Sequence, residues 1–196
     1  MRASRVFRLI FRIFISLLTL SVTVVSFLGG MSAFMILSNP DNIGIDTANA
    51  DFNIDYDEFG VHDINFTLPF NVTNAGYFDI ENFQIRVELA MNYSHVDYPI
   101  PGVNGTRIVK IFEKSASFGI DVNNWTIPKG ITGYFDFTGV YSEFLIGNFP
   151  NITEIDVYKT PPIFEFYANF TISLDYSLGM HSVSVYLPNI KVGELP

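Results

Sequence analysis

The chain has 196 residues, a net charge of −9, no cysteine and three histidines, with 48% hydrophobic and only 16% charged residues. That length fits one ordinary domain, with or without an appendage. A mean hydropathy of +0.28 excludes a disordered chain, and the lack of cysteine excludes disulfides, thiolate metal sites and thiol chemistry.

Charge is unevenly spread. Arg2, Arg5, Arg8 and Arg12 precede an uncharged run, and no Asp or Glu occurs before Asp41. Setting these four aside leaves seven basic against 20 acidic residues, so residues 38–196 carry −13. Phosphate binding needs clustered Lys and Arg, so a nucleic-acid surface is excluded.

Ile13 to Leu37 form 25 positions without a charge. As a helix they span about 37 Å, enough to cross a ~30 Å hydrocarbon core with some tilt. The four arginines before the span, and none after it until Arg86, place the amino terminus in the cytoplasm and the rest outside. Residues 1–12 are then a cytoplasmic basic segment whose arginines reach lipid phosphates, 13–37 the transmembrane helix and 38–50 a linker. The competing reading is a cleaved signal peptide, since Ala48-Asn49-Ala50 has the small-x-small form of a cleavage site. Its distance from the apolar run, and the length of that run, favour an anchor.

Within the span, Ser16, Thr19, Thr23, Ser26, Gly30 and Ala33 recur at spacings of 3 and 4 and fall on one stripe. Small residues let helix backbones approach closely. The expected partner is another copy or a subunit of a membrane complex.

After Asn39-Pro40-Asp41 the period changes to two. Phe52, Ile54 and Tyr56 alternate with acids and Asn53; Ile64, Phe66, Leu68, Phe70 and Val72 follow. Beyond the turn signal Asn74-Ala75-Gly76, Phe83, Ile85, Val87, Leu89, Met91 and Tyr93 line a further strand. A looser strand is expected within 107–120, another from Ile131 to Phe137, and a short helix over 141–146. The clearest strand runs from Phe164 to Leu178, and Leu178-Gly179-Met180 turns it into Val183, Val185 and Leu187. Half-apolar strands without intervening helices predict an antiparallel two-sheet β-sandwich over 51–196.

The stretch LPFNVTNAGYFDIENFQIRVELAMNY resembles the first hairpin of late-embryogenesis-abundant type 2 (water-stress/hypersensitive-response) domains, and IPKG before an alternating strand resembles their second half. Asn74-Ala75-Gly76 stands where that family has Asn-Pro-Asn. The resemblance, over residues 51 to 190, implies an immunoglobulin-like or fibronectin-like sandwich on a single anchor, without enzymatic activity or cofactor.

Seven Asn-x-Ser/Thr sequons occur, at Asn65, Asn71, Asn92, Asn104, Asn124, Asn151 and Asn169, where 16 Asn and 26 Ser plus Thr predict about two by chance. Asn65, Asn71, Asn92 and Asn169 fall on polar strand faces; Asn104, Asn124 and Asn151 are expected in loops. All seven are candidate acceptors for N-linked glycans. Abundant sequons with no cysteine fit an archaeal surface glycoprotein.

His62, His95 and His181 lack metal-site spacing, and no phosphate loop or nucleophile elbow is present. Asp51-x-Asn53-x-Asp55-x-Asp57 has part of a calcium-loop pattern, but Tyr56 stands where the loop needs glycine and His62 where it needs a bidentate Glu. The loop from Tyr93 to Thr106 is a candidate recognition loop. Two functions follow as expectations: a structural or assembly component bound to another envelope or membrane-complex subunit, or a lipid- or polysaccharide-binding module with its cleft between the sheets.

Overall fold

The computed structural model describes residues 2–57, 60–96, 104–121, 125–156, 164–176, 179 and 181–195. Helix α1, Arg2–Ser38, opens the chain. Eight strands follow: β1 Ile43–Ile45, β2 Asp51–Asp57, β3 Gly60–Thr73, β4 Glu81–Val96, β5 Asn104–Ser117, β6 Thr132–Val140, β7 Phe164–Tyr176 and β8 His181–Leu195.

They form two antiparallel sheets. In the first, β3 is central. Its two halves pair along one edge with β2 and β1, and β6 takes the other edge. The second has the order β5-β4-β7-β8. Their inner faces follow from the period-two pattern. Ile64 to Val72 on β3, Phe83 to Tyr93 on β4 and Phe164 to Tyr176 on β7 each bury every second residue. Each fully buried Phe, Leu or Ile contributes roughly 1.5–3 kcal/mol of transfer free energy. Rings meet in tilted and edge contacts, such as Phe70–Phe118 at 4.9 Å and Phe112–Phe144 at 4.7 Å. One N-terminal apolar helix followed by an all-β sandwich is therefore the architecture.

Several details differ from the sequence reading. Residues 38–50 are more than a linker. Pro40–Asn42 make a 3-10 turn, and Ile43–Ile45 pair with Val72–Phe70 and pack on the core. The expected recognition loop is shorter than Tyr93–Thr106, because β4 and β5 continue their hairpin through Ser94↔Thr106, His95↔Gly105 and Val96↔Asn104. Asn104 consequently lies in a strand, and residues 97–103 are outside the described residues. Instead of one short helix over 141–146 there are two 3-10 turns, Tyr141–Glu143 and Ile146–Asn148. The Leu178-Gly179-Met180 turn falls outside the described residues except for Gly179.

Antiparallel connectivity gathers the β3–β4 turn (74–80), residues 118–121 and 125–131 between β5 and β6, the end of β7 and the start of β8 at one end of the sandwich. Helix α1 packs against that same end.

Candidate functional site

The joint between helix and sandwich is the most specific construction in the molecule. Ser32, fully buried at 0% exposure, donates through Oγ to the Leu28 carbonyl and accepts from the Tyr77 backbone N–H, both at 2.8 Å. Gly76 makes this approach possible: a Cβ there would lie 2.8 Å from the Ser32 Cβ. Ile36, at 1% exposure, enters the hydrophobic core beside Ala33. The last carbonyls of a helix lack intrahelical donors. Here Asn42 supplies one, donating through Nδ2 to the carbonyls of Met35 at 3.0 Å and Ile36 at 3.5 Å.

Asn74 organises the turn behind the joint. It is wholly buried and uses both ends of its amide. Nδ2 donates to the carbonyls of Phe78 and Ile127 at 2.9 and 2.8 Å, while Oδ1 accepts from the Gly76 N–H at 3.1 Å and the Tyr176 hydroxyl at 3.3 Å. One side chain thus ties the β3–β4 turn to the segment before β6 and to the end of β7. Burial raises the phenol pKa of Tyr176 well above its ordinary value and keeps it a donor.

The helix stripe divides. Ala33 packs against the sandwich, Ser26 is half-buried, and Ser16, Thr19, Thr23 and Gly30 are exposed. Thr19 and Thr23 turn their hydroxyls back onto the carbonyls of Ile15 and Thr19, at 2.9 and 2.8 Å. The face turned to the sandwich carries Gly29, Ser32, Ala33 and Ile36 and is rotated from the expected stripe. Arg2, Arg5, Arg8 and Arg12 belong to the same continuous helix as the apolar span; the Arg12 side chain is exposed.

The sequons differ in what holds their amides. Asn151 is exposed beyond Pro150, and Asn65 is half-buried on the outer face of the first sheet. Asn71 and Asn169 are held through their oxygens, which accept from the backbone N–H groups of Gly44 at 3.1 Å and Asn189 at 2.9 Å. Asn92 is held through its nitrogen, which donates to Glu165 Oε2 at 3.4 Å, while its Oδ1 is buried without a partner. The side chain of Asn104, and Asn124 altogether, lie outside the described residues.

The outer face of the second sheet carries ion pairs. Lys191 reaches Glu165 at 3.1 Å and Glu194 at 2.6 Å. With the Tyr167 hydroxyl it holds the Glu165 carboxyl below its ordinary pKa. On the opposite side of the sheet, at the β5 edge, Lys114 lies over the Phe137 ring and lowers the Glu143 pKa from 2.8 Å.

Little else invites chemistry. Among the described residues no group of three or more His, Asp or Glu could hold a metal. His62 bonds Asp57 at 2.8 Å, and the side chains of Asp51, Asn53, Asp55 and Asp57 stand outward on β2. Between the sheets, among the described residues, a cavity of about 10 Å³ lies among Ile45, Leu68, Phe137 and Phe170, at or below the room one water requires. A shallow outer groove of about 470 Å³ near Trp125 is polar, but its groups bond one another: Asn82 and Ser182 both donate to Asp175, at 2.9 and 2.6 Å.

No family model matches the chain, and no curated protein matches it. Among solved structures 38 chains match. One, described as the X-ray structure of Northeast Structural Genomics Consortium target SoR45, is 9% identical with a TM-score of 0.41, over 78% of this chain and 87% of that one.

Proposed function

We propose that this protein is a single-pass, membrane-anchored exterior glycoprotein, with a structural or assembly role beside another envelope or membrane-complex subunit. The observation that carries the reading is the joint. Ile10–Ile36 form one helix long and apolar enough to span a bilayer, with little of it buried, and its last turns are built into the sandwich. Removal of the helix after Ala50 would also remove Ile36, which packs in the core, and β1, which packs there too and pairs with β3. That dependence favours a retained anchor over a cleaved signal sequence.

Orientation rests on the arginines, which favour a cytoplasmic amino terminus and an exterior sandwich. The seven sequons then lie on the side where N-linked glycans are added, and the composition fits an archaeal surface. The late-embryogenesis-abundant-like hairpin supports a non-enzymatic role and needs no cofactor. A partner helix, or a second copy, has the exposed stretch Ser16, Thr19, Thr23 and Gly30 available to it. The packed interior weighs against a ligand cleft between the sheets. Co-purification from native membranes in mild detergent, with mass spectrometry of partners and glycopeptides, tests the proposal. It predicts a glycosylated chain recovered with a stoichiometric membrane partner or copy; an unglycosylated, partner-free monomer overturns it.

A further inference from the structure

The end of the sandwich that holds the helix also exposes apolar and aromatic side chains, and the joint fixes how far they lie from the bilayer. A ~30 Å hydrocarbon core takes about 20 helical residues. Counted from Ile13, where the charges end, it closes near Ser32 and Ala33. Ser32 accepts the Tyr77 N–H, so Tyr77, 43% exposed, stands at the outer hydrocarbon boundary. Beside it the Lys129 ammonium lies 5.6 Å from the Tyr77 ring centroid. Ile131, also exposed, is held at the same turn through its carbonyl, which accepts from Asn74 N–H at 3.0 Å.

Trp125, 40% exposed, forms a second tier. Ile127 pairs with Ile80 at the base of β4, and Trp125 lies two residues further along, about 7 Å at strand rise. The polar zone on each side of a bilayer is roughly 5–8 Å deep. An aromatic with a polar edge, and a lysine beside a ring, are side chains suited to that zone.

We infer that this end of the sandwich, through Tyr77, Lys129, Ile131 and Trp125, rests in the headgroup region of the outer leaflet, so that the domain sits on the membrane and not on a stalk above it. The inference depends on the anchor proposed above. Asp41, Asp79 and Asp121 are exposed at the same end, which fits a neutral or zwitterionic leaflet and not an anionic one.

Trp125 is the sole tryptophan and serves as its own probe. The full chain is reconstituted into phosphatidylcholine vesicles, floated, and titrated with aqueous iodide and with lipids brominated near the carbonyl or near the chain end. Two further single-tryptophan chains combine Trp125→Phe with Tyr77→Trp or with Tyr186→Trp, the latter on the exposed face of β8, five residues or about 16 Å at strand rise from the end that meets the joint. Quenching by the shallow bromines should fall from position 77 to 125 and vanish at 186, and iodide quenching at 125 should be several-fold weaker than at 186. If the chain floats but Trp125 is as open to iodide as position 186, the inference is overturned and the anchor stands. If the chain does not float, the anchor reading fails and this inference with it. Should either variant fail to fold, the shallow bromines decide on native Trp125 alone: quenching in the floated vesicles supports the inference, and its absence overturns it.

Discussion

Asn74→Asp replaces one amide nitrogen by oxygen and leaves the shape of the side chain unchanged. The Phe78 and Ile127 carbonyls, at 2.9 and 2.8 Å, then face an acceptor in a site with no solvent exposure. Losing two buried bonds and stranding two carbonyls costs about 3–5 kcal/mol, before any charge is counted. At roughly 2–4 °C per kcal/mol for a domain of this size, Tm falls by roughly 6–20 °C. Thermal unfolding of the full chain in detergent, followed by Trp125 emission, reads this directly, because the Trp125 carbonyl accepts from Phe83 N–H next to the joint. Asn74→Ala, which loses all four bonds but adds no charge, should fall as well, without any recovery at low pH. Lowering the pH should recover part of the Asp variant's loss by protonating its carboxyl. A variant within about 2 °C of the parent would refute the assignment of Asn74 as the tie between these strands.

Gly76→Ala puts a Cβ 2.8 Å from that of Ser32 and should push the helix off the sandwich, making the Ser38–Asn42 segment several-fold more sensitive to protease with strand content unchanged; unchanged cleavage would contradict the joint. Stability should form a plateau in pH. Glu143, Glu165 and Asp175 have folded pKa values lowered from 4.5, 4.5 and 3.8, so the stability they contribute is present above those values and lost as pH falls through the folded ones. Tyr176 is raised from 10.0, so its contribution is complete below that pH and lost above it. Melts from pH 3 to 11 should therefore decline at both ends, and Tyr176→Phe should flatten the alkaline limb; equal Tm at pH 3 and 7 would contradict the carboxylate assignment. Glycopeptide mapping should find Asn151 occupied and Asn92 bare, since Asn151 is exposed and the Asn92 nitrogen is bonded to Glu165. The reverse order would show that amide accessibility in the folded domain does not govern occupancy.

The strands legible in the sequence were those that bury every second side chain, above all β3, β4 and β7. β5 read as loose because a bulge opposite Leu89/Ala90 lets Ile111 and Phe112 both be buried, which breaks the alternation. β8 runs well past Leu187, beyond an irregular pairing and Asn189 in the left-handed region. Three-residue β1 is too short to carry a period. The joint was hidden for a different reason: Ile36 in a run of apolar residues reads the same whether lipid or a protein core covers it, and Asn74 reads as turn punctuation although it is a buried tie. The stripe of small residues is a reading for a second membrane helix, and the sandwich takes the neighbouring face, which carries Gly29, Ser32 and Ile36.

The central claim, a retained anchor built into its domain, is tested most directly by the intact mass of the native chain from alkali-washed membranes. The account predicts a species that includes the helix from its first residues and stays in the membrane fraction. A soluble species beginning at Asp51 would contradict it.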